Sequence, residues 1–359
     1  MSISQRHGPV LARTCSGTTM AAALSVLLAV SGAGIAAPAK PAALDKPAAL
    51  DKPAAEATKP EPGTPTAPGT IFDGQATEIA GGYSFTEGPF YITSGHRAGM
   101  FVFSDIPEST IYIIDTAAKE PKAEILRKPS GRTNGNGVDA NGNLICAESD
   151  GRITRVDVLA RGAAADASAI VLAEAFEDNR LNSPNDLAIS AKGDIYFTDP
   201  AYFVKAAERK QTIEGVFRID PAGKVSLVSD KYKRPNGIGL SPDGTKLYVG
   251  DAGTGELFVH NVGADGTPAE RILFASVKGT KARGGVDGLK TDTAGNVYTT
   301  GPGGIWCYSP AGVLLDRLSL PYSSNFAFGG KDGRTILITA GKLVLVARLK
   351  DAAAAKPAK

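Results

Sequence analysis

The 359-residue chain sets 39 Lys and Arg against 37 Asp and Glu, and its 42 Gly, 23 Pro and 43% hydrophobic residues supply a large core with many turns, which excludes a wholly disordered protein. Nearly balanced charge, with no basic cluster interleaved with aromatics, removes the electrostatic case for a nucleic-acid partner. The expected partner is a small molecule, and the expected state a monomer.

Residues 1–36 read as a signal peptide. Arg6, His7 and Arg13 precede an apolar stretch from about Met20 to Ile35, and small residues surround Ala33 to Ala37. The stretch is shorter than the roughly 20 residues that span a bilayer, so no stable membrane span is expected after cleavage. The mature chain is expected to be exported, periplasmic or secreted. Residues 37–69 repeat Lys-Pro-Ala-Ala-Leu-Asp and read as a disordered linker, and residues 351–359 as a disordered tail. Between them, residues 70–350 read as one domain. Its two cysteines, Cys146 and Cys307, fall in strands of distant repeats and are expected as buried free thiols.

Short β-type runs separated by Gly, Asp, Asn and Pro fill the domain, with no sustained helical stripe. They repeat. Turn glycines stand at Gly142, Gly193, Gly244 and Gly295, a constant step of 51 residues, and weaker copies place Gly95 before them and Gly333 after. The third unit shows four strands, roughly Leu187 to Ser190, Asp194 to Asp199, Gly215 to Asp220 and Lys224 to Ser229. The fold expected is therefore all-β, a six-bladed β-propeller with four antiparallel strands per blade. The sixth unit supplies only three strands, so Gln75 to Ile79 is expected to close the ring from the N-terminal side.

Eight positions before each turn glycine stands a carboxylate or carboxamide: Glu87, Asn134, Asn185, Asn236, Asp287 and Asn325. At the start of each innermost strand these side chains would form one ring at a mouth of the channel. Two carboxylates with several amide oxygens suit a hard divalent cation, Ca²⁺ foremost. The competing explanation is turn chemistry, because Asn-Gly and Asp-Gly are common turn pairs. Glu is a poor turn former, however, and Asn185 and Asn325 are followed by Asp186 and Phe326. Few histidines and no Gly-x-Ser-x-Gly elbow or phosphate loop leave other chemistries poorly served. The acids that end second strands, Asp105, Glu148, Asp199 and Asp251, read as structural.

Thr86-Glu-Gly-Pro-Phe90, Asn182-Ser-Pro-Asn-Asp-Leu187 with Tyr196-Phe-Thr-Asp-Pro200, Arg234-Pro-Asn-Gly237 and Val286-Asp-Gly288 resemble, in order and at blade spacing, the SMP-30/gluconolactonase/LRE-like family. The resemblance implies a metal-dependent hydrolase of a small lactone or ester, with one divalent cation, Ca²⁺ or alternatively Zn²⁺, Mn²⁺ or Mg²⁺. Glu87, Asn236 and Asp287 match its metal ligands, Asn185 a fourth ligand or a substrate contact, and Asp287 its general base. An arginine that binds substrate in animal members is Ser183 here, with Arg180 as a candidate substitute. Asn134, Asn185 and Asn325 would orient the substrate ring. A non-catalytic sugar-acid or metal-binding propeller, and an organophosphate or xenobiotic-lactone hydrolase on the same site, remain open at this point.

Overall fold

The computed structural model describes residues 64–350, so the expected leader, most of the expected linker and the tail at 351–359 lie outside the described residues. No helix occurs among the described residues; the chain forms a β-propeller of successive antiparallel sheets. The 51-residue step has a local cause. Gly142, Gly193, Gly244 and Gly295 have φ of 82°, 92°, 69° and 82°, and each N–H closes a turn onto the carbonyl three residues earlier. Only glycine adopts that left-handed backbone without strain.

Between the turns lie β-branched and aromatic runs. Four sheets are four-stranded, and each starts from its innermost strand: Thr133–Val138, Leu187–Ile189, Pro235–Leu240 or Leu289–Thr291. Second strands such as Phe101–Asp105, Leu144–Glu148, Ile195–Asp199 and Val297–Gly301 are buried at every position. Both faces of each strand pack on neighbouring sheets, which is why these strands read as continuous apolar runs rather than alternating ones. Outer strands such as Ile272–Ser276 open to solvent. Cys146 and Cys307 are free and buried, and burial pushes the Cys146 thiol up to about 11.

The expectation of six four-stranded blades needs correction. The strands join into five principal sheets, four of four strands and one of six, with a separate two-stranded ribbon of Ala175–Phe176 and Asn179–Arg180; counted by continuous sheets, the propeller has five blades. The reason is the 20-residue strand Phe72–Tyr91. Its first half, Phe72 to Gly81, pairs with Thr335–Leu349, and its second half, Thr86 to Tyr91, pairs with Phe101–Asp105. Hydrogen bonding therefore runs unbroken between the units that the repeat pattern separates as first and sixth. Gln75 to Ile79 lies inside this strand, beside the C-terminal one. Upstream, Thr66 and Ala67 donate backbone hydrogen bonds to Leu314 and Leu315, at 3.0 and 2.9 Å.

Deleting residues 72–81 removes the neighbour of Thr335–Leu349 and splits the six-stranded sheet. The expected outcome is loss of the cooperative unfolding transition in a thermal melt; a truncated chain that melts as sharply as the full one would refute this account of closure.

Candidate metal and catalytic site

The backbone at the channel mouth is set by carboxylates that the channel does not contain. Asp105 accepts N–H bonds from Ser84 and Phe85, Asp199 from Asn182 and Ser183, and Asp251 from Lys233 and Arg234, all at 2.7–3.0 Å. The bonded residues stand three and two positions before Glu87, Asn185 and Asn236 respectively. Glu148 takes a different role, held by Arg127, Arg152 and Thr154. Pairing register then slips between Glu87 and Phe90, Thr133 and Asn136, and Pro235 and Ile238. Such bulges re-aim side chains beside functional sites.

The Asn-Gly and Asp-Gly pairs are contacts between blades, and Asn134-Gly135 and Asn236-Gly237 lie within strands. Gly135 N–H donates to the Asn185 carbonyl, Gly237 to that of Asp287 and Gly288 to that of Ser324, at 2.7–2.9 Å. A Cβ on Gly88 would overlap the Asn134 carbonyl, and one on Gly237 that of Asp287. Ser104 and Thr198 hydroxyls add bonds to the Asn134 and Asn236 carbonyls. Backbone bonds thus tie the Asn134 pair to Asn185, the Asn236 pair to Asp287 and the Asp287 pair to the segment of Asn325.

Glu87, Asn134, Asn185, Asn236 and Asn325 are buried, and Asp287 is partly so. Glu87 Oε2 accepts from Gly88 N–H at 2.8 Å and from Asn325 Nδ2 at 3.0 Å. Burial raises the Glu87 carboxyl to about 7, against the pull of those two bonds, and the Asp186 charge adds to the rise. Burial also lifts Asp287 well above the ordinary carboxylate range, followed by the charge of Glu87, while a hydrogen bond from Asn236 draws it back. Asn236 Nδ2 donates to the Tyr202 hydroxyl at 3.1 Å. With that nitrogen engaged, the carbonyl oxygen is the end of the amide left for a cation.

Two carboxyls shielded from water, one of which raises the proton affinity of the other, are a poor arrangement for a protein alone and a suitable one for a divalent cation. Among the described residues no group of three or more His, Cys, Asp or Glu is arranged to hold a metal, so a cation here would need amide as well as carboxylate oxygens. Glu87, Asp287, Asn236 and Asn185 supply an all-oxygen set of that kind, which fits a hard cation.

Asn325 spends its amide on Glu87 and, at 3.5 Å, on Asp186, while its Oδ1 accepts from Phe326 N–H. Arg180 stands elsewhere: it is exposed, bonds the Asp150 carbonyl, and lines a cleft of about 590 Å³ with Asp150, Arg152, Glu174 and Asp178, none of them in the ring. Ser183 is buried on Asp199. Reading the sequence missed Asp186, Lys290, Tyr202 and Tyr322. Asp186 accepts from Lys290 Nζ at 3.2 Å and acts electrostatically on both Glu87 and Asp287. Its signal was present, since it replaces the glycine that follows four of the six ring residues. Tyr202 and Tyr322 sit on connecting segments outside the repeat, and both feel the charges of Asp287 and Glu87.

Comparison with known proteins follows the same lines. Residues 85–342 match the SMP-30/Gluconolactonase/LRE-like region. A gluconolactonase of Zymomonas mobilis is 32% identical over 300 residues, covering 76% of this chain and 80% of that protein. The structure of a gluconolactonase from Xanthomonas campestris superposes with a TM-score of 0.67 at 26% identity, over 81% of this chain and all of the other. A regucalcin from Agrobacterium tumefaciens, described as calcium-binding, shares the fold, with a TM-score of 0.63 at 20% identity over 78% of this chain and 95% of that one.

Two outcomes follow. Gly237→Ala forces two inner strands apart and should destabilise the fold by about 1–3 kcal/mol in denaturant unfolding; an unchanged midpoint would count against the blade contact. Because Glu87 and Asp287 bind protons more tightly folded than unfolded, their protonated forms stabilise the protein at low pH, and the Glu87 share of that stability is lost as pH rises through about 7. Chelator-treated protein should therefore melt several degrees lower at pH 8 than at pH 5, with a shallower slope in Glu87→Gln.

Proposed function

The chain belongs to the SMP-30/gluconolactonase/LRE-like family and is a lactone hydrolase, and from that premise we propose that Glu87, Asn236 and Asp287, with Asn185, hold a divalent cation at the channel mouth where the lactone is opened. The observation that carries this reading is the pair Glu87, buried, and Asp287, half-buried, whose proton affinities stay raised although Lys290, itself paired with Asp186, pulls both down.

A bound cation would supply Lewis-acid polarisation of the lactone carbonyl. Asp287 is the base. Its carboxylate takes a proton from the attacking water while the water oxygen bonds to the carbonyl carbon. On collapse the ring C–O bond breaks, Asp287 returns the proton to the leaving alkoxide, and the product is an open hydroxy acid. Asn325 holds Glu87 in place, and Asn236 is oriented by Tyr202. Asn134, buried at the same mouth, is the ring residue left to orient the substrate. Calcium is the cation we favour, on the oxygen donor set and on the calcium-binding description of the regucalcin of the same fold.

Chelation should abolish hydrolysis of gluconolactone, and Ca²⁺ should restore it, while the far-ultraviolet dichroism stays that of a folded propeller. Asp287→Asn should lower kcat by about 100-fold or more, and Glu87→Gln should weaken cation binding measured by calorimetry. Full activity after chelation, together with an unimpaired Asp287→Asn, would refute the reading.

A further inference from the structure

Around the mouth, two tyrosines flank the carboxylate pair from opposite ends of the chain's path. Tyr202 lies on the segment after Ile195–Asp199, and Tyr322 on the segment before Asn325–Gly329. Each carries an arginine on its ring face: Arg234 lies 5.4 Å from the Tyr202 centroid and Arg283 4.8 Å from that of Tyr322. Both arginines are exposed, and both belong to segments that lead into ring residues, Asn236 and Asp287.

A third arginine supplies the contrast. Arg132 lies over Phe203, next to Tyr202 in sequence, and is neutralised by Asp150 at 2.6 Å. No ion pair is made by Arg234 or Arg283 among the described residues. Charge balance makes the point stronger. Glu87 and Asp287 match a divalent cation, Asp186 matches Lys290, and Arg132 matches Asp150. The Arg234 and Arg283 guanidinium groups are left without an ion pair, and their planar donors suit a carboxylate or phosphate.

We propose that the lactone this protein opens carries an anionic group, a carboxylate or phosphate remote from the ring carbonyl, that Arg234 and Arg283 bind while Tyr202 and Tyr322 wall the ring between them. This rests on the carboxylate mouth being the reacting site. The arginines act as specificity determinants: they select the substrate and take no part in proton transfer. Lying over a tyrosine ring restrains each arginine, so less side-chain freedom is lost when the anion binds.

The test compares Ca²⁺-loaded protein on gluconolactone, glucaro-1,4-lactone and 6-phosphogluconolactone. One of the anionic lactones is expected to exceed the neutral one in kcat/KM by about tenfold or more, through KM, with the advantage shrinking at high salt. Arg234→Met and Arg283→Met should each bring the ratio of anionic to neutral kcat/KM toward unity. Calorimetry gives an independent readout: 6-phosphogluconate or glucarate should bind at least about tenfold more tightly than gluconate, and the difference should vanish in the double variant. The better lactone tells phosphate from carboxylate. Equal kcat/KM for all three lactones, or variants that leave the ratio unchanged, would overturn the proposal. If chelation and Asp287→Asn leave gluconolactone turnover intact, the reading of the mouth itself fails instead.

Discussion

Three aspartates placed away from the reacting groups govern this molecule. Asp105, Asp199 and Asp251 end second strands, where each accepts two backbone N–H bonds from the segment about to become an innermost strand. Without those bonds the segment would approach the channel with its N–H groups unpaired by the protein. Once it is fastened, the residue two positions on has nowhere to go but the mouth. Burial raises the Asp199 carboxyl to about 7, with the Asn182 and Ser183 N–H bonds pulling the other way. The clamp and the site it aims thus share one chemistry, carboxyl groups kept from water.

Glycine does the complementary work. Where the aspartates fix each inner strand to its own sheet, Gly135, Gly237 and Gly288 let it touch the next one, closely enough for N–H to reach the neighbouring carbonyl. Glu87, Asn134, Asn185, Asn236, Asp287 and Asn325 are consequently one construction rather than six independent side chains. A substitution at a glycine between them moves two ring residues at once.

Much of this was legible because the chain repeats. The step of 51 residues picked out Asn134, Asn185, Asn236 and Asp287, the weaker flanking copies added Glu87 and Asn325, and the acids at the ends of second strands do bond backbone or side chains as structural groups, Glu148 differing in its partners. Counting blades failed where repeat and hydrogen bonding part company: Phe72–Tyr91 crosses from one unit into another without a break, and periodicity carries no information about pairing. Arg180 was the candidate substitute for the arginine that Ser183 replaces, yet the ribbon with Ala175–Phe176 turns it toward Asp150. Tyr202 and Tyr322 had no periodic partner to betray them, because connecting segments answer to the substrate and not to the repeat.

The six-stranded sheet also dictates a schedule. Phe72 stands opposite Leu349, so this strand finds its neighbour only after the intervening residues of the described domain have been made. Pairings of such sequence separation form slowly, since the whole intervening chain must be closed as a loop. During synthesis the N-terminal half of Phe72–Tyr91 therefore waits as an open edge, and any chaperone that serves this protein has that edge to guard until the last strand arrives.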